Sequence, residues 1–304
     1  MVEAIQSREL ITVPIGEVRL RGTYHRTHAD SDSSARTGVL FVNSGYAPRA
    51  AFGDSAVYWA DAFANFGFPS FRLDLPGLGD SEGELPETWL ELSQLINDGH
   101  FAPYVSKAAK GLTERFRLSG MVVIGHCGGA ISAVYAGAES KYIKGVVALD
   151  PYFFRNEEVR PAIRQEISVW VTRNKVAGQL GKVYRRLKKV GVIVRGAKLP
   201  ANTNLTLIRN WNRLASAGIP MLVLNARGPS QSRGQFDYFR YLQQTAGGRS
   251  RVAIRFIDGA HHSFADNVGK AAVRHFVEQW LNASFPRLES KENAFAEELT
   301  VNHE

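Results

Sequence analysis

The chain has 304 residues, 44% of them hydrophobic and 22% charged, enough for one large domain, alone or with an inserted segment. Its formal net charge of +8 leaves nucleic acid, an anionic surface or an acidic partner open. No apolar run approaches the roughly 18 residues of a membrane span. The single cysteine excludes an internal disulfide and fits a reducing, cytoplasmic setting. No Cys/His cluster has zinc-ligand spacing, so neither a metal nor another cofactor is expected.

Met1 to Leu10 lacks an apolar signal core and reads as a mature start. Two short strands follow, Leu10 to Ile15 and Val18 to Tyr24, turning at Gly16. After a polar loop, Gly38 to Asn43 is a continuous apolar run of the kind that forms a buried parallel strand. Ser55 to Phe66 has helical periodicity and stops at Gly67; Pro69 to Leu75 is a strand closed by Pro76-Gly77. Trp89 to Phe116 reads as mostly helical, Met121 to Ile124 as a strand, and Ala130 to Ala138 as a helix. Strands are then expected at Val146 to Leu149, Met221 to Leu224 and Val252 to Ile257, with helices near Phe236 to Gln244 and Gly269 to Leu281. This alternation implies a doubly wound, mostly parallel α/β sheet. The core is assigned to residues 1–150 and 219–285. Residues 151–218 lack a clear core strand and read as a helical cap inserted between the sixth and seventh strands. Residues 286–304 form a polar tail.

Gly125-His-Cys127-Gly-Gly129 sits between a strand and a helix, the context in which a nucleophile is presented on a sharp, strained turn. Side chains two positions either side of the nucleophile would strike neighbouring backbone, and glycine removes the collision. The N-terminus of the following helix aims at the sulfur and favours thiolate. It also places the Gly128 N–H as an oxyanion donor.

Four motifs together resemble the α/β-hydrolase superfamily over residues 8 to about 283. They are Asn43-Ser-Gly-Tyr46, Asp74-Leu-Pro-Gly-Leu-Gly-Asp-Ser81, the elbow at Cys127, and Asp258-Gly-Ala-His-His262-Ser-Phe264. Most members carry serine at the elbow. The cysteine here is similar to dienelactone hydrolases and polyhydroxyalkanoate synthases, and the elbow, basic cap and His-Ser-Phe resemble bacterial hydrolases associated with exosortase systems. The resemblance implies that His262 is the base, that Tyr46 supplies the second oxyanion N–H, and that His126 and His261 are bystanders shaping the pocket. The family's usual acid position, shortly after the strand Met221 to Leu224, holds no carboxylate. Asp150, at the end of the preceding strand, is the preferred acid, with a helix-capping role as its bland reading; Asp237 is the alternative acid. Asp74 and Asp80 read as turn carboxylates that hold backbone N–H groups.

Residues 151–218 carry 14 Lys or Arg against Glu157, Glu158 and Glu166, a net +11 that leaves −3 for the rest of the chain. Arg185-Arg186 and Lys188-Lys189 are the densest cluster, accompanied by aromatics such as Tyr152, Trp170 and Trp211. Such a surface suits an acyl carrier protein or coenzyme A thioester. Equally, its Lys and Arg stems would simply cover apolar surface, and a lid helix resting on an anionic membrane is a further reading. Nothing matches a nucleic-acid-binding module. The chemistry that these residues and the resemblance imply is acyl transfer from a small ester or thioester through an acyl-Cys127 thioester, by a hydrolase or acyltransferase. A non-catalytic binding protein of the same fold is the alternative; the missing family acid speaks for it, and the elbow glycines and His262 speak against it.

Overall fold

A computed structural model describes residues 8–27, 36–43, 45–155, 199–227, 236–245 and 251–285. Their strands are β1 (Arg8–Ile15), β2 (Val18–His25), β3 (Thr37–Val42), β4 (Ser70–Leu73), β5 (Gly120–His126), β6 (Ile143–Leu149), β7 (Met221–Arg227) and β8 (Val252–Asp258). They form one sheet in the order β1-β2-β4-β3-β5-β6-β7-β8. The pairs β1–β2 and β2–β4 are antiparallel and the others parallel. Each strand expected from the apolar runs is present.

The described helices are α1 (Ser55–Asn65), α2 (Trp89–Asp98), α3 (Ala102–Arg115), α4 (Gly128–Glu139), α5 (Leu205–Ser216), α6 (Tyr238–Thr245) and α7 (Asn267–Ser284). The mostly helical stretch expected over Trp89 to Phe116 is divided into two helices. Gly99 ends α2 in a left-handed conformation (φ 83°), and Pro103 lies in the first turn of α3, the usual stop and start residues.

Alternation along the strands sends side chains into two cores, one on each face of the sheet. Leu40, Val123 and Val223 face the core built with α2 to α6, through Leu92, Leu112, Ile131 and Trp211. Phe41, Val122, Ile124 and Leu222 face the core built with α1 and α7, through Trp59, Phe63 and Val277. β5 is buried at every residue, as a central parallel strand should be.

The described residues fall into two compact units, the second spanning Phe154–Thr203. Within it Phe154 and Thr203 form an antiparallel bridge, and the Arg155 N–H donates to the Asn202 carbonyl at 2.8 Å. This unit is narrower than the 151–218 cap expected from sequence. Helix α5 belongs with the sheet, where Trp211 is 1% exposed; its apolar stripe is a core-facing pattern, and the absence of a strand hid that. The basic pairs Arg185-Arg186 and Lys188-Lys189, and the tail 286–304, lie outside the described residues.

The strand order reverses between β3 and β5: one connection leaves β3 for β4, and the chain later returns to pair β5 on the other side. The loops at the carboxyl ends of β3 and β5 therefore diverge and leave a crevice, the usual ligand position in an open α/β sheet.

Candidate active site

Cys127 stands at that crevice, immediately after β5, with φ 52° and ψ −116°. Such a conformation is costly for a residue with a side chain and persists only where its surroundings enforce it. Here the Cys127 N–H donates to the Leu149 carbonyl at 2.9 Å, and its own carbonyl accepts from Ala130 at 3.1 Å. The flanking glycines are required by close approach. A Cβ on Gly125 would lie 2.1 Å from the Gly129 carbonyl oxygen, and a Cβ on Gly129 would lie 2.3 Å from the Asn43 carbonyl oxygen. Cys127 is partly exposed. Gly128 opens α4, so its N–H is among the first-turn donors that have no intrahelical acceptor.

Tyr46 lies in the loop after β3, the strand beside β5. Its ring is 45% exposed and sits 5.8 Å from that of Trp89, while its hydroxyl donates to the Pro86 carbonyl at 3.2 Å. The loop is tied from below. The Asn43 amide donates to the Ala47 carbonyl at 2.9 Å and to Asp74 at 3.2 Å, and its oxygen accepts from Leu75 at 2.8 Å. Asp74 is fully buried and accepts from the Arg49 and Asp80 N–H groups at 2.6 and 3.3 Å. Asp80 pairs with the Arg49 guanidinium at 2.7 Å. The Asp74 carboxylate therefore holds backbone N–H groups, as its sequence position suggests, whereas the Asp80 carboxylate pairs with the Arg49 side chain instead.

His262 Nδ1 lies 2.5 Å from Asp150 Oδ2. Asp150 follows β6 with φ 44°, an unfavourable conformation just before a proline. Two contacts with the neighbouring β7 hold it there: its N–H donates to the Leu224 carbonyl at 2.7 Å, and its Oδ1 accepts the Ala226 N–H at 3.2 Å. β6 and β7 are adjacent parallel strands, so a carboxylate at the end of one reaches space that a residue after the other would fill. Asp237, the alternative acid, precedes α6 and accepts the Arg240 N–H at 3.0 Å. It acts as a helix-start residue, and the carboxylate bonded to the His262 ring is Asp150.

The His262 side chain is 55% exposed, yet its pKa is pushed up to about 10. The hydrogen bond with Asp150 is the largest cause, and a hydrogen bond with Cys127 is the second. The imidazole thus stands between the carboxylate and the sulfur. His261 is exposed, and its carbonyl accepts the Phe264 N–H at 3.0 Å.

Two side chains at the site escape a reading by motif. His126 is buried, and its Nε2 lies 2.6 Å from the His262 carbonyl oxygen. Tyr152, taken from sequence as a cap aromatic, has its phenol pushed up to about 12, first by burial and second by the Cys127 charge. It stays protonated close to the sulfur. Its place two residues after Asp150, on the strand end that feeds the site, was the available signal. Among the described residues no group of three or more His, Cys, Asp or Glu is arranged to hold a metal ion, and no helix is long and apolar enough to cross a membrane.

A sheet of this order, with a cysteine on the elbow after its central strand and a His–Asp pair over it, defines a class. Residues 39–190 match the family model described as alpha/beta hydrolase fold, and the chain belongs to that family. Solved structures share the fold. The Pyrococcus furiosus esterase Pf2001 superposes with a TM-score of 0.60 at 14% identity, covering 92% of this chain and 94% of its own. The alpha/beta hydrolase GrgF from Penicillium sp. sh18 gives 0.59 at 14% identity, covering 92% and 100%. Est1E from Butyrivibrio proteoclasticus, solved with ferulic acid, gives 0.56 at 14% identity, covering 91% and 100%. No curated protein matches the sequence.

Proposed function

We propose that the protein is a cysteine-dependent acyl hydrolase or acyltransferase acting on a small ester or thioester. The observation that carries this reading is the imidazole of His262, bonded to Asp150 at 2.5 Å on one nitrogen and raised by Cys127 as well. An imidazole whose pKa is pushed up to about 10 is a strong acceptor, and it takes the Cys127 thiol proton as the sulfur becomes the nucleophile. The thiolate attacks the acyl carbon, and the carbonyl π pair moves to oxygen, where the Gly128 and Tyr46 N–H groups donate to it. One such donor is typically worth about 2.7–4 kcal/mol of barrier. The C–O or C–S bond then breaks, and the leaving group takes the proton from His262. The neutral ring next accepts a proton from water, or from an acceptor alcohol or thiol, as that oxygen or sulfur attacks the acyl-Cys127 thioester. Collapse expels the Cys127 sulfur, releases the product and returns the proton from His262 to the starting pair.

The partly exposed aromatics near the site, Tyr46, Trp89 and Phe52, suit an apolar acyl group. The positive charge of residues 151–218 supports an acidic thioester donor, an acyl carrier protein or coenzyme A, and the lone thiol supports a reducing, cytoplasmic setting. Alkylation by iodoacetamide tests the reading. Cys127 should react at neutral pH much faster than a free thiol, and His262→Ala should remove the advantage. Reaction no faster than free cysteine, unchanged in that variant, would mark a binding protein instead.

A further inference from the structure

We propose that His126 is a positioning residue for His262: its ring N–H holds the His262 backbone carbonyl and so hangs the base from the strand that ends in the nucleophile. The proposal rests on the reading of Cys127 and His262 given above.

The contact is Nε2 to carbonyl oxygen at 2.6 Å. A carbonyl only accepts, so the proton belongs on Nε2. The ring is 8% exposed, and Phe52 and Phe264 meet it edge-on at 6.4 and 6.0 Å. Its centroid is 4.8 Å from that of His262, so a charge on both rings would be repulsive. Burial removes that conflict by lowering the pKa of His126 to about 4. The group beside the imidazolium is thus a neutral donor.

The need for such a tie follows from the loop. The His262 ring is more than half exposed, so packing does little to fix it. Backbone bonds nearby include the Gly259 N–H to the Arg227 carbonyl at 3.1 Å, which ties the start of the loop to β7, and two local ones, the Ala260 N–H to the Ile257 carbonyl at 3.4 Å and the Phe264 N–H to the His261 carbonyl at 3.0 Å. Asp150 controls rotation of the ring through Nδ1, whereas His126 controls the position of the main chain that carries it. The two restraints act on different freedoms. They also come from different strands, since Asp150 follows β6 and His126 ends β5. Cys127 is the next residue after His126, so movement of the elbow carries the base with it. A misplacement of about 1 Å between reacting groups can cost roughly 100-fold.

Two substitutions separate the donor from the ring. His126→Phe keeps the bulk and loses the N–H; His126→Gln keeps an N–H at similar reach. With p-nitrophenyl acetate as probe, the Phe variant should lose about 10- to 100-fold in kcat with KM within about twofold. By NMR its His262 pKa should fall below the wild-type value as the contact with Asp150 loosens. The Gln variant should recover most of both. A folded Phe variant with wild-type kcat and His262 titration overturns the proposal, and so does a Gln variant no better than Phe. Should the Phe variant not fold, the imidazole 15N shifts of the wild-type protein decide: His126 must carry its proton on Nε2, and a bare Nε2 overturns the tie. Failure of the functional reading looks different. It would appear in the wild-type protein itself, as Cys127 alkylation that His262→Ala does not slow.

Discussion

Among the described residues, two His–Asp pairs have nearly the same length and opposite character. His262 meets Asp150 at 2.5 Å, and His25 meets Asp61 at 2.6 Å. The first imidazole is raised to about 10 and the second lowered to about 4. The carboxylate is common to both, so it does not decide. Burial does, together with the partner of the other ring nitrogen. His25 is fully buried, and its Nε2 accepts from the Arg72 Nε–H at 2.9 Å. Desolvation and the Arg72 charge both oppose a second proton. His262 is half exposed, and its second partner is a sulfur that favours the charged ring. A His–Asp pair thus holds a proton readily where the ring is exposed and its far nitrogen faces a group that favours the charged form; buried against a cation it stays neutral and acts as a brace.

The comparison breaks most sharply in turnover. His262→Ala should lower kcat for an activated ester by at least about 1,000-fold. His25→Gln, which keeps both hydrogen bonds within reach, should leave it within about threefold. A large loss in the second variant, with its circular dichroism unchanged, would mean the two sites are coupled. Asp150→Asn comes next. A serine triad loses roughly 10,000-fold from such a change, but a thiol needs less help to ionise, so a loss of about 100-fold is expected. The same variant removes the largest cause of the raised His262 pKa, so the ring should titrate well below 10 by NMR.

The smaller effects are in stability. The unfolded chain protonates His25 near pH 6.5, while the native protein resists until about 4. Stability therefore falls as pH drops through this window, by on the order of 3 kcal/mol for such a shift. His126, also lowered to about 4, adds to the same slope. His262 acts in the opposite sense: its contribution is full below pH 6.5 and is lost as pH rises through about 10. Denaturant titrations from pH 4 to 7 should show the acid slope, and His25→Gln should reduce it. Smallest is Asp61→Asn, which weakens the bonds to His25 and Arg8 and should cost about 2 kcal/mol. Its melting temperature should fall while kcat per folded molecule stays unchanged.

What the sequence made legible was local. Cys127, its glycines and the eight strands rest on spacing within a few residues, and chain order alone sets those contacts. The carboxylate partner of His262 was harder, because its identity depends on which strand end lies next to which. Asp150 reaches the place of a residue after β7 only because β6 pairs with β7, and a motif centred on β7 finds nothing there. Helix α5 was misassigned for a related reason: with no strand beside it, its core-facing stripe looked like part of the insertion. His126 was read only as a pocket bystander because its partner is a backbone carbonyl, which no side-chain pattern records.

The central claim is a covalent acyl group on one sulfur, placed there with the help of one imidazole. Rapid-quench mass spectrometry with peptide mapping measures it directly after mixing with an activated ester at neutral pH. The account predicts an acyl adduct on the peptide carrying Cys127, formed within the first turnover and absent over the same interval in His262→Ala. Steady product release with no adduct on Cys127, or an adduct that forms at the same rate without His262, would contradict it.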